Sequence, residues 1–280
     1  MNQDISQEIA RRIRSFPSMP KAALRILRLL EDPNASPREV EALLRQEPSL
    51  TANILRMTNS AFFGLSCTVG SVRQALALLG WKRLSQLVLA SCVRATMDKA
   101  VPGYDLPAGD LWRHAVMVSV AAEGLVKELN LTGGDDVFTA ALLHDMGKLV
   151  LGAYVRDALP KIEALAADAV PFEEAETRVL GTNHAEVGAE VLKRWSLPPQ
   201  IVEAVRWHHA PEGGGRTTVL IDAVHIADML CVLVGIGGGR EGLRHLPSSG
   251  ARKRLGLSAG ALERVASHAL ALARELTATI

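Results

Sequence analysis

Apolar residues in this 280-residue chain recur again and again at the three- and four-residue steps of a helix. Ile5, Ile9 and Ile13 mark one helical face, and Leu24, Leu27 and Leu30 mark another. Val72, Ala75, Leu76 and Leu79 form a further stripe, which ends at Gly80, a natural C-terminal stop. Aromatic residues are only 4% of the chain, and Ala and Leu are abundant. Those two residues lose little side-chain freedom in a helix. β-branched runs bounded by turn residues, the mark of strands, are nearly absent. The expected fold class is all-α.

Local punctuation divides the chain. Ser36-Pro37-Arg38-Glu39 has the form of a capping box with Pro at the first helical position, so a helix is expected from there to Gln46. Pro48 opens the next. Residues 101–109, VPGYDLPAG, carry two Pro and two Gly without an apolar period and read as a connector. Beyond it, helices are expected at 110–130, 136–152, 156–168, 172–195, 198–210 and 217–235. Glycine triplets at 213–215 and 237–239 break the chain, and a final helix is expected over 258–277. The expected organisation is an N-terminal helical bundle over 1–100, packed on a helical subdomain over 110–236. A loop and C-terminal helix over 237–280 would follow.

Several classes of function are excluded by composition. The formal net charge is +1, without the basic excess of a nucleic-acid binder. Arg11, Arg12 and Arg14 read as a solvated helix face. Cys67, Cys92 and Cys231 are odd in number and far apart, which suits reduced thiols rather than a disulfide frame. The acid-bearing start MNQDISQEIA is not a signal peptide. The most apolar stretch, 217–236, holds Asp222, His225 and Asp228, which argues against a membrane span. A cytoplasmic location is expected.

The residues that could carry chemistry lie in the second half. Six of eight histidines fall between 114 and 225: His114, His144, His184, His208, His209 and His225. His114 shares a helical face with Leu111, Val118, Ala121 and Leu125 and is expected to point inward. Burying several imidazoles and carboxylates together is costly unless something pairs with them. A divalent transition metal does so, taking neutral imidazole and ionised carboxylate. The donors are nitrogen and oxygen without sulfur, which favours iron, manganese or zinc. Asp110 and His114 are one helical turn apart. His144 and Asp145 are adjacent and could address different sides of a site. Asp222 and Asp228 both flank His225, and spacing alone leaves them as rivals, as it does His208 and His209.

The segment LLHDMGKL at 142–149 resembles the core motif of the HD superfamily of metal-dependent phosphohydrolases. The resemblance implies one metal held by His114, His144, Asp145 and Asp228. In the related HD-GYP branch a further His and a His-His pair hold a second metal, and His184 and His208-His209 match them. Asp110 takes the place of an acidic residue that assists in some members. Residues 16–64 and SVRQALALLG at 71–80 resemble the opening of the HDOD domain, a bacterial signalling or regulatory module. Asn59-Ser60 belongs to that pattern, and its simplest role is a helix cap and turn.

HDOD domains often lack the ligands that this chain keeps. HD-GYP enzymes carry Gly-Tyr-Pro after the paired histidines, where this chain reads HHAPEGGGR. The resemblance therefore implies a regulatory domain with an HD-type site for two ions. A phosphohydrolase acting on a nucleotide or other phosphoester is the alternative, and a scaffold with a vestigial pocket is a third reading. For the enzyme, two-metal chemistry would centre on a shared Asp145. Lys148, one turn after His144, would steady a phosphate oxygen or else be a solvated helix lysine. Asp145 and Lys148 are thus the candidate catalytic residues. A phosphoester ligand and a signalling protein acting in trans are the expected partners, without nucleic acid or membrane.

Overall fold

The structure, a computed structural model, describes residues 3–60, 65, 67–168, 170–215, 217–237, 239–240 and 247–279. Among them are helices and no strand. In chain order these are α1 (Gln3–Ser15), α2 (Lys21–Glu31), α3 (Pro37–Arg45), α4 (Pro48–Thr58) and α5 (Val72–Met97). A 3-10 turn at Pro102–Tyr104 precedes α6 (Asp110–Glu128), α7 (Val137–Leu143), α8 (Lys148–Ala167), α9 (Phe172–Leu180) and α10 (His184–Arg194). Then come α11 (Pro199–Trp207), α12 (Val219–Leu233), α13 (Ser249–Arg254) and α14 (Ala259–Thr279). The chain forms two compact units, one of residues 1–17 and 96–270, the other of residues 18–95 and 271–280.

In the smaller unit α2 packs on α3 and α3 on α4. The capping box at the start of α3 is formed: Ser36 Oγ accepts from the Glu39 amide, and the Glu39 carboxylate accepts from the Ser36 amide at 2.7 Å. Ile26, Val40, Leu44 and Ile54 are buried. Each such side chain contributes about 1.5–3 kcal/mol relative to exposure. Asn59 caps α4, as expected, and also reaches across the following loop. Its amide donates to the carbonyls of Leu55 and Val69, and its carbonyl accepts from the Val69 amide at 2.7 Å. Part of the 16–64 segment, residues 61–64, lies outside the described residues.

The larger unit holds the rest. Helix α6 packs against α7 and α12, α10 against α11, and α8 against α9 and the 3-10 turn. Helix α1 packs on α8 and α10. The expected division near residue 100 therefore differs from the observed one, because the first helix joins the second half of the chain. Trp195 shows how: its indole N–H donates to the Pro17 carbonyl at 3.1 Å, and its ring lies beside Phe16.

Four helix boundaries differ from expectation. The helix expected over 136–152 stops at Leu143 and a new one starts at Lys148. That new helix then runs through Pro160, across the break expected before 156. The helix expected over 172–195 breaks at Gly181, whose φ of 81° is left-handed, and restarts with Asn183 as N-cap. Gly80 is a kink (φ 78°) inside α5 rather than its end. Helix α5 is also the one described helix with the length and composition to cross a membrane, but half of its most apolar window is buried in the protein.

Candidate metal centre

The break between α7 and α8 is what makes a site. Adjacent residues on a regular helix point about 100° apart. Ending α7 at Leu143 lets His144 and Asp145 both face the interior, where both are buried. The turn is pinned by Gly147, where a Cβ would lie 1.9 Å from the His184 carbonyl oxygen and 2.7 Å from the Gly188 amide nitrogen. Only glycine permits that approach, and it sets the His144-Asp145 turn directly against the start of α10. Helix α6 supplies His114, the end of α11 supplies His208 and His209, and α12 supplies Asp228.

Four of the rings are held by their Nδ1 atoms. His144 Nδ1 lies 2.6 Å from the Ala141 carbonyl, His208 Nδ1 2.7 Å from that of Val205, and His114 Nδ1 2.9 Å from that of Ile236. His184 Nδ1 lies 2.8 Å from Glu176 Oε2. Carbonyl and carboxylate oxygens only accept, so in each case Nδ1 carries a proton. A neutral ring then presents a lone pair at Nε2. The four Nε2 atoms point at the carboxylates of Asp145 and Asp228.

The resulting contacts crowd ring nitrogens against carboxylate oxygens. His114 Nε2 is 3.0 Å from Asp228 Oδ1 and 3.7 Å from Asp145 Oδ2. His144 Nε2 is 3.3 Å from Asp145 Oδ2 and 3.7 Å from Asp228 Oδ1. His184 Nε2 and His208 Nε2 are 3.7 and 3.9 Å from Asp145 Oδ1. His209 Nε2 sits 2.8 Å from His184 Nε2. Three of the inward atoms, His144 Nε2, Asp145 Oδ1 and His208 Nε2, are fully buried without a hydrogen-bond partner. Leaving such groups unsatisfied costs about 1–3 kcal/mol each, more when charged.

The electrostatics point the same way. Burial opposes ionisation of Asp145, yet His144, Lys148 and His184 around it prevail and hold its carboxyl well below the usual carboxylate range. Asp228 behaves likewise, lowered through its contact with His114 and the nearby His144. Burial, reinforced by the neighbouring His144 and His184, pushes His208 well below the ordinary imidazole value. For His144 the two carboxylates outweigh burial and raise it. The centre is thus two ionised carboxylates facing imidazole nitrogens, a group of side chains that could hold a metal ion.

Groups of these atoms within 4.8 Å of one another are Asp145, His184, His208 and His209; His114, His144 and Asp145; and His144, His208 and Asp228. A divalent metal fits them: the donors are nitrogen and oxygen, and the unpartnered atoms face inward from several directions. Asp145 belongs to two of the groups. Asp110 belongs to none of them; it pairs with Arg113 at 3.2 Å at the partly exposed start of α6. The rivalry on α12 is resolved by partners. Asp222 takes a bidentate ion pair with Arg254 (2.7 and 2.6 Å), so Asp228 is the one facing the histidines. Both His208 and His209 reach the centre.

Lys148 is buried, not a solvated helix lysine. Its Nζ donates to Asp145 Oδ2 at 2.8 Å and lies 5.4 Å from the centre of the Tyr104 ring. Two supporting residues escaped the sequence reading. Glu176 is fully buried and accepts from the His184 ring, from the His184 amide at 3.0 Å and from the Tyr104 hydroxyl. A carboxylate behind a ligating histidine fixes its tautomer and strengthens it as a donor. Glu176 stands eight residues before His184 and Tyr104 lies in the connector, so no helical spacing links them to the centre.

Fold and centre together define an all-helical domain of the HD type. The HDOD domain family matches residues 16–211, and the chain belongs to it. A Treponema pallidum protein of uncharacterised function is 28% identical over 231 residues. That match takes in 80% of this chain but 44% of the relative, so the chain spans less than half the relative's length. Among solved structures, an HDOD domain protein of unknown function from Geobacter sulfurreducens is similar at 26% identity and a TM-score of 0.70, over 99% of this chain and 95% of that one. A Shewanella amazonensis SB2B protein provisionally named a phosphohydrolase is similar in fold, with a TM-score of 0.74 at 24% identity, over 96% of this chain and 98% of that one.

Proposed function

We propose that this HDOD domain is a signalling or regulatory module built around a dinuclear divalent-metal centre, with iron, manganese or zinc as the ion. The donors are His114, His144, Asp145 and Asp228 on one side and Asp145, His184, His208 and His209 on the other. The observation that carries the reading is the closure of the centre. His144, His184 and His208 are 0% exposed, Asp145 is 1%, and only His209 reaches partial exposure. Closed donor sets typify metals that hold structure, whereas catalytic sites keep an open position. An ion there would tie together α6, α7, α10, α11 and α12, and so couple their arrangement to metal supply.

A second reading, a metal-dependent phosphohydrolase, is favoured by Lys148. A buried ammonium beside the shared carboxylate is a ready partner for a phosphate oxygen. The ion would supply Lewis acidity. Lys148 would hold the anionic substrate, and His209, at the more open edge, would exchange a proton with water. The name of the Shewanella neighbour agrees with this reading.

Metal analysis of the purified protein, followed by a screen of phosphomonoesters and phosphodiesters, separates the two. About two ions per chain without turnover supports the regulatory centre. Turnover that disappears in Asp145→Ala and falls in Lys148→Met establishes the enzyme. Absence of any bound ion after reconstitution refutes both.

A further inference from the structure

His225 is buried in α12, close to the centre, yet it faces none of the metal-binding atoms. Its Nδ1 lies 2.6 Å from the His208 carbonyl oxygen, and its Nε2 lies 2.9 Å from the Ser248 backbone nitrogen. The first contact needs a proton on Nδ1 and the second needs a lone pair on Nε2. The ring is therefore a neutral bridge between the His208-His209 turn and the segment that begins α13.

A second set of bonds ties the same two segments. Arg254, at the end of α13, forks onto Asp222 in the first turn of α12. Glu212, four residues after His208, accepts from Ser248 Oγ at 2.5 Å and lies 3.4 Å from Arg254. Asp222 is 2% exposed, so this ion pair is anchored in the protein on one side. Residues 248–254 lie beyond the stretch matched by the HDOD family.

We propose that Ser248–Arg254 is a clamp for the His208-His209 turn, with His225 as its positioning residue. His225 hangs the His208 carbonyl at a fixed point, and the Ser248 amide fixes His225. Arg254 and Glu212 hold Ser248 in place. The direct effect is on the histidine pair, and His114 and Asp228 lie outside it. The consequence for metal affinity rests on the metal reading above. The consequence for the turn itself does not.

The test uses the full chain. His225→Ala removes the bridge, and His225→Asn restores a donor close to the position of Nδ1. Ser248→Pro removes the amide hydrogen at a residue whose φ of −53° already suits proline, while Ser248→Ala keeps it and removes only the hydroxyl. Backbone hydrogen exchange over 205–212 is measured in metal-free protein, and Mn²⁺ is then titrated into each variant. His225→Ala and Ser248→Pro are expected to speed exchange at Ala210, whose amide closes the turn, and to leave α6 unchanged. His225→Asn should lie near wild type, and Ser248→Ala, which keeps the amide but loses the Glu212 bond, should fall between wild type and Ser248→Pro. Mn²⁺ affinity should fall about 10–100-fold in the first two variants. Unchanged exchange in both, or equal acceleration over 205–212 and α6, overturns the clamp. Wild-type protein that binds none of Mn²⁺, Zn²⁺ and Fe²⁺ overturns the metal reading, while the exchange result still decides the clamp.

Discussion

The two units bury different kinds of atoms. In the smaller unit the interior is made of residues such as Ile26, Val40, Leu44, Ile54, Leu84 and Val88. The polar side chains buried there, among the described residues, are Thr58, Gln86 and Ser91. All three are neutral, and Thr58 donates to the Ile54 carbonyl. The larger unit buries five histidines, three aspartates, a glutamate and a lysine. Some of that charge is matched internally, as Asp222 is by Arg254. Asp145 is matched at one oxygen by Lys148, but its Oδ1 and the Nε2 atoms of His144 and His208 are left without a hydrogen-bond partner. An apolar interior needs nothing further to be stable, whereas burying imidazoles and carboxylates together is costly unless something pairs with them. Folding physics accounts for the first interior, and the second is a group of side chains that could hold a metal ion.

The comparison is broken most severely at Asp145. Asp145→Ala deletes the carboxylate shared by two donor groups and leaves Lys148 buried without its anion. Loss of bound metal is expected, together with a loss of about 3–5 kcal/mol from removing one partner of a buried pair. Metal analysis and urea unfolding measure the two effects, and undiminished metal content would contradict the assignment. The opposite pattern is expected in the smaller unit. Leu44→Ala should cost about 2–5 kcal/mol, as core truncations do, and should leave metal content at the wild-type level.

Chelation sharpens the contrast without a mutation. An ion at 100 times its dissociation constant stabilises the folded state by about 2.7 kcal/mol. Removing it should lower the midpoint of thermal unfolding, and Leu44→Ala should show the same metal-dependent shift as wild type. Glu176→Gln keeps the shape of the His184 support but removes its charge. Its expected signature is metal affinity weakened about 10–100-fold, read by titration, with little change in the metal-free protein. The smallest effect is expected at the capping box. Ser36→Ala should cost about 1 kcal/mol and leave metal affinity unchanged.

Much of this architecture is legible in local sequence. The Ser36 capping box, Pro48 at the start of α4 and Asn59 at its end depend on residues within a turn of one another, and the structure forms them as read. The breaks at 144–147 and at 181–183 are not legible, because apolar periodicity runs through both. At the first, glycine is needed by the carbonyl of a residue 37 positions away in sequence. The break expected between 152 and 156 is absent, and one helix runs from Lys148 to Ala167. The choice of Asp228 over Asp222 could not be made from spacing either, since it depends on Arg254.

By itself the sequence determines that the chain is helical, that its histidines and aspartates concentrate in the second half, and that His144-Asp145 belongs to an HD-type pattern. Those properties reside in residue type, in periodicity and in the order of motifs. The tertiary structure decided the rest: which carboxylate faces the histidines, that Lys148 is buried, that Glu176 stands behind His184, and that His225 bridges rather than faces the centre. These are contacts between residues distant in the chain, and a side chain's role is set by the partner that reaches it. Chain order carries no record of that partner until the helices have packed.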